Sequence, residues 1–330
     1  MSNDGAPPAD GTKVSSATPT WSLRPYVELL RPEQWVKNVV VFAGPAAGLK
    51  LSDADSCLRA GFVFLAFCLA ASATYTINDI VDREADLNHP TKRLRPIARG
   101  AIRPSSAFVL AGLLILAALV VTSTLIGRAV TAAVILYLLL NLAYSTALKQ
   151  KVILDVIIIA IGFVLRAFAG ALAVQVPTSA WLIACVFTLC LFMGFGKRRC
   201  ELAMIGSQEE ARQHRRTLIR YTPHLLTHLI TVSAGIAVIT FLQYTLDASG
   251  PTPPFEKQYL FYTLPLVVYG IFRFAMLSET GRYSGPTEIV LKDPAMRITI
   301  VLWGLCALVI AYQVVLFGPG GLKGLMGNYS

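Results

Sequence analysis

The chain has 330 residues, of which 55% are hydrophobic and 15% charged, with a mean hydropathy of +0.60. These values exclude a soluble globular domain and a disordered chain, and they define a polytopic, all-α membrane protein. The formal net charge of +10 would suit nucleic acid, but the basic residues gather on one membrane side, where anionic lipid head groups attract them, so no nucleic-acid partner is implied.

Residues 1–21 are polar and rich in small residues; they read as a disordered cytoplasmic tail with no cleavable signal peptide. A transmembrane domain is expected over 22–318 and a short extracytoplasmic tail over 319–330. A crossing takes about 20 mostly apolar residues. Nine segments qualify: 36–51, 57–77, 106–126, 129–147, 153–174, 178–196, 224–246, 258–278 and 296–317. The first is the weakest, because Lys37, Asn38, Gly44 and Pro45 interrupt it. With the N-terminus in the cytoplasm, that side carries 22 of the 29 Lys/Arg and the opposite side five, which is the positive-inside pattern.

The second segment runs directly into NDIVDREADLNHPTKRLRPIARG, Asn78 to Gly100. If the helix continues past the membrane surface, Asp79, Asp82 and Asp86 lie within about 60° of one another, with Asn78 beside Asp82. Such a stripe of like charges needs a cation or basic groups to neutralise it. Oxygen-only ligands favour Mg²⁺ or Mn²⁺, completed by substrate phosphates. Asn78, Asp79, Asp82 and Asp86 therefore form a candidate metal–diphosphate site, with the three aspartates as catalytic residues. The competing reading is a solvated helix end whose acids pair with Arg83, Lys92 or Arg95.

Three further cytoplasmic rims carry candidate phosphate ligands: RPEQWVKN with Lys37, NLAYSTALKQK with Tyr144 and Lys149, and GFGKRRCEL with Lys197, Arg198 and Arg199. Arginine offers phosphate a planar fork and lysine a point charge. In the fifth segment Asp155 and Arg166 share a helix face, flanked by Gly162 and Gly170. A charge at that depth faces a ligand cavity or braces a neighbouring helix, and both readings stand. His224 and His228 are spaced i, i+4 without a third ligand near, and read as interfacial. The six cysteines form no CxxC pair and suggest neither disulfides nor zinc.

The aspartate stretch and the span pattern resemble the UbiA superfamily of intramembrane prenyltransferases. That resemblance implies an all-helical bundle around a central cavity open to the cytoplasmic side. The superfamily usually carries a second aspartate motif where this chain has GKRRCEL, so a metal site is replaced by an anion site. RPEQWVKN, YSTALK, LDVIIIAIGFVLRAFAG, GKRRCEL and GPTEIVLKDP are together similar to the decaprenyl-phosphate phosphoribosyltransferase branch of actinobacteria. The branch implies Mg²⁺-dependent transfer of 5-phosphoribose from 5-phosphoribosyl 1-diphosphate (PRPP) to decaprenyl phosphate, towards the arabinan of the cell wall. It also implies a bacterial plasma-membrane location among membrane lipids, with the site facing the cytoplasm. Small-residue span faces permit a homo-oligomer. The alternatives are a prenyltransferase acting on an aromatic, haem or chlorin acceptor and a transporter.

Overall fold

A computed structural model describes residues 23–88, 91–204, 220–247 and 257–313. The expected tails and the basic loop holding Arg212, Arg215 and Arg216 lie outside the described residues. All described regular structure is helical.

Eight helical stretches are long and apolar enough to cross a membrane. They are α3 (Ala54–Val81), α5 (Pro104–Leu125), α6 (Arg128–Thr146), α7 (Leu154–Ala173), α8 (Ala180–Ala203), α9 (Pro223–Leu246), a 3₁₀ turn leading into α10 (Leu264–Ser278), and α12 (Pro294–Ala311). Shorter helices are α1 (Arg24–Leu30), α2 (Ala43–Ala47), α4 (Arg83–Leu87) and α11 (Pro286–Lys292). Helix starts follow the sequence: Pro104, Pro223, Pro265, Pro286 and Pro294 stand in first turns, where a missing N–H costs nothing. Asp53, Thr222 and Asp293 cap their helices by accepting from Ser56, Leu225 and Met296 N–H groups at 3.0, 3.1 and 2.8 Å.

The first expected crossing is not among the eight. Pro32–Phe42 winds as a 3₁₀ helix and hands over to the five-residue α2. The residues that interrupt its hydropathy serve packing. A Cβ on Gly44 would strike the Ala171 side chain, and one on Gly170 would overlap the Val41 carbonyl oxygen, so this segment lies tightly along α7.

The buried side chains form two main clusters. One joins the 3₁₀ segment with α3, α5, α6 and α7 around Val63, Phe67, Val134 and Tyr137. The other joins α8 to α12 around Phe192, Phe195, Phe274 and Ile289. The halves meet where α7 packs on α8. There the two glycines of GFG admit Val156 and Phe274, so their role is close helix approach.

Candidate functional site

The functional groups gather at one end of the bundle, where α3, α6 and α8 finish and α7 and α9 begin. Helix α3 stops at Val81, Asp82 is its C-cap, and α4 resumes at Arg83, with N–H to C=O bonds from Asp82 to Asn78 (2.9 Å) and Asp86 to Asp82 (2.8 Å) keeping the helical phase. Asp79 and Asp86 consequently share a face, as their spacing predicts. Arg95 bridges them, donating from Nη1 to Asp79 Oδ1 at 3.0 Å and to Asp86 Oδ2 at 2.7 Å. Arg31 Nη2 donates to both Asp79 oxygens, at 2.7 and 2.9 Å. Lys149 Nζ contacts Asp82 Oδ1, and Asn78 Nδ2 donates to Asp82 Oδ2 at 3.0 Å.

The pairing reading of the acids is therefore correct for Arg95, while Arg83 and Lys92 form no printed-range ion pair with them. Among the described residues no three acidic, His or Cys side chains converge on a point where an ion would sit. A three-carboxylate cage is excluded for this arrangement. The donors nonetheless fit magnesium in its common mode, one or two carboxylates plus substrate phosphates and water. Asp82, whose side chain is 27% exposed, is the acid most open to such an ion; Asp79 and Asp86 are 2% and 4% exposed. Burial pushes the Asp86 carboxyl above its ordinary value, against the opposing pull of Arg95.

The RPEQWVKN segment is a brace with one free cation. Arg31 takes a left-handed backbone conformation (φ 52°) between α1 and Pro32, which turns its guanidinium to Asp79 and over the Tyr75 ring at 5.2 Å. Trp35 Nε1 donates to Ser72 Oγ at 3.0 Å, and Ser72 donates to the Leu30 carbonyl at 2.7 Å, fixing the segment to α3. Asn38 Oδ1 accepts from Arg166 Nε at 2.6 Å. Lys37 makes no hydrogen bond or ion pair and faces the like charges of Lys197, Arg166 and Arg31.

Arg166 settles on the bracing side of its two readings. Besides Asn38 it donates to the Gly162 carbonyl (2.8 Å) and to Tyr137 Oη (2.9 Å), and it lies over the Tyr137, Phe163 and Phe67 rings. The basic triplet of α8 also divides. Arg198 is buried, donating to Asp155 Oδ2 at 2.9 Å and Glu201 Oε2 at 2.7 Å, with Tyr144 beside it. Arg199 pairs with Glu279, and Lys197, about half exposed, lies 3.7 Å from Glu201. Gly285, before α11, rests on the Lys197 side chain, so the loop ahead of α11 covers this rim.

Sequence reasoning did not single out Tyr221. Its hydroxyl donates to Asp155 Oδ1 at 2.7 Å and accepts from the Ile153 N–H at 2.7 Å, holding Ile153 at a positive φ of 70°. Burial and the Asp155 bond push the Tyr221 phenol up. A tyrosine just ahead of the Thr222 cap is a signal only once the fold brings it to α7. His224 and His228 are exposed, and all six cysteines are free thiols.

A multi-pass helical bundle with acids and excess cations collected at one end defines an integral-membrane protein built to hold phosphate groups. The UbiA prenyltransferase family model matches residues 39–291, and the chain belongs to that family. It is 36% identical to a decaprenyl-phosphate phosphoribosyltransferase of Mycolicibacterium smegmatis, over 84% of this chain and 89% of the relative. With the enzyme of the same name from Corynebacterium glutamicum it shares 32% identity, covering 88% of each. A UbiA homolog from Archaeoglobus fulgidus, solved bound to DMAPP and Mg²⁺, superposes with a TM-score of 0.67 at 18% identity over 89% of this chain and 99% of that one, a likeness of fold.

Proposed function

We propose that the protein transfers 5-phosphoribose from PRPP to the phosphate of a decaprenyl or similar polyprenyl phosphate, releasing diphosphate. The observation that carries this reading is the basic triplet Lys197–Arg199 on α8, set opposite one aspartate cluster, together with the matching names of the relatives. One diphosphate calls for one acidic, metal-using site. The ribose 5-phosphate and the lipid phosphate call for cations.

Asn78, Asp79, Asp82 and Asp86 are the proposed magnesium and diphosphate ligands, with Asp82 foremost. Magnesium, when bound there, neutralises charge developing on the departing diphosphate. Arg31 and Arg95 hold Asp79 and Asp86 in place, and Lys149, released from Asp82, is free to meet a phosphate. Lys37, Tyr144, Lys149, Lys197 and Arg199 line the rim as phosphate-binding groups. Arg166 and Arg198 act through them, Arg166 by holding the Lys37 segment and Arg198 by holding Glu201 and Tyr144 in position.

The acceptor phosphate is already anionic at neutral pH and needs no strong base. Its oxygen forms the bond to ribose C1 as the bond to diphosphate breaks, and positive potential at the rim favours the charge that leaves. Direct displacement inverts C1. The cation-rich rim belongs on the cytoplasmic face of a bacterial plasma membrane, where PRPP is found and where the positive-inside pattern puts it. The lipid product would supply the arabinan of the cell wall.

The test uses purified protein, Mg²⁺, polyprenyl phosphate and PRPP labelled in the ribose 5-phosphate. Label passing into organic-extractable lipid is the expected result. No label, with activity instead on an isoprenoid diphosphate and an aromatic acceptor, would replace this reading with conventional prenyl transfer.

A further inference from the structure

A groove of about 260 Å³ runs between α3, α5 and α6 on the membrane-facing side of the bundle. Ile115, Leu119 and Leu139 line its apolar part; Ile77, Asn141 and Ser145 line the part nearest the functional rim. Its course is set by the helices. Leu119 of α5 lies near mid-membrane, whereas Ile77 immediately precedes Asn78 and Ser145 stands between Tyr144 and Lys149 along the chain. An apolar trough therefore leads from the bilayer interior to the residues that hold phosphate.

Its rim end carries a second signal. Ser145 is only 4% exposed, yet its hydroxyl makes no hydrogen bond, not even the bond to a carbonyl one turn back that Thr122, Thr146 and Thr188 all make. An unpartnered, buried donor facing a trough is expected to meet a polar atom of whatever lies there. The volume suits one chain and not the paired chains of a phospholipid.

We propose that this groove seats the polyisoprenoid chain of the acceptor, its first units against α3 and α6 and its phosphate end at Ser145, within reach of Tyr144 and Lys149. The inference rests on the transfer reading above and extends it to where the lipid lies.

The test compares geranyl phosphate, too short to reach mid-membrane, with a long-chain polyprenyl phosphate in lipid nanodiscs. Leu139→Trp, which fills the apolar part, is expected to lower the long-to-short ratio of kcat/KM by roughly tenfold, the worth of about two buried methylenes. Leu113→Trp, on the exposed outer side of α5, is the control that leaves the ratio alone. Ser145→Ala is expected to weaken both acceptors alike, roughly fivefold, as loss of one hydrogen bond does. An unchanged ratio in Leu139→Trp overturns the proposal, as does an equal loss on both acceptors. A changed oligomeric state with unchanged constants overturns it too, and makes the groove an interface between copies. If the wild-type protein labels neither acceptor, the transfer reading fails and takes the groove with it; if it labels both and the ratio holds, the groove alone fails.

Discussion

Two kinds of charged residue share the rim, and substitution separates them. Asp82 is partly exposed and its partners Lys149 and Asn78 are at the surface, so Asp82→Asn leaves the fold intact while removing the acid most open to a metal–diphosphate. The expected result is a fall in kcat of roughly 10²–10³, the worth of one charge-stabilising group, with an unchanged melting temperature in detergent. Arg198 is the opposite case. Arg198→Met strands Asp155 without its charge partner in the interior, and the expected destabilisation is roughly 3–5 kcal/mol, read as a large drop in thermal unfolding temperature. Adding Asp155→Asn should recover much of that stability without recovering full activity. Equal stability of Arg198→Met and wild type would return Arg198 to the list of direct phosphate ligands.

Between elements, close backbone approach and capping decide the packing. A side chain at Gly170 cannot coexist with the Val41 carbonyl, so Gly170→Ala should push the 3₁₀ segment off α7 and displace Lys37 with it. Its expected signature is lost activity with a larger effect on substrate KM than a surface Gly61→Ala change, Gly61 having open space around it. At the start of α12, Asp293 both caps Met296 and receives two bonds from Arg273, at 2.7 and 2.8 Å. Those bonds hold its carboxyl below the ordinary value, Arg273 being the largest cause. The folded state thus binds its proton less readily than the unfolded chain. The resulting stability is complete above about pH 3.9 and fades as the pH falls through the lower folded value. Asp293→Ala should cost about 1 kcal/mol from the cap alone near neutral pH, and the deficit against wild type should shrink under strong acid.

For the whole molecule the exposed test is sidedness. With the rim in the cytoplasm, Asn88→Cys should react with a membrane-impermeant maleimide only after the cells are opened, whereas Ser52→Cys, at the other end of α3, should react in intact cells. The reverse pattern would put the cation-rich rim outside and remove PRPP as its donor. Chelation of Mg²⁺ should abolish label transfer without altering the melting temperature, because the acids already have cationic partners in the protein.

Membrane class, eight of the crossings and the rim on which chemistry would occur were legible in the sequence, because hydropathy over about 20 residues and the placement of Lys/Arg are local properties. The Asp79–Asp86 face was legible for the same reason, being a helical repeat. The first segment was misread as an ordinary crossing because its Gly44 and Pro45 look like interruptions until α7 is seen against them. Which cations are free was not legible at all. Arg198 and Lys197 are neighbours in the chain, yet one is locked to Asp155 and the other half exposed, and Arg31, Arg95 and Tyr221 acquire their roles from residues tens of positions away. Residue type and spacing determine what chemistry an end of the bundle can support; only the packing of helices distant in sequence decides which charges are spent on holding the fold and which remain for a substrate.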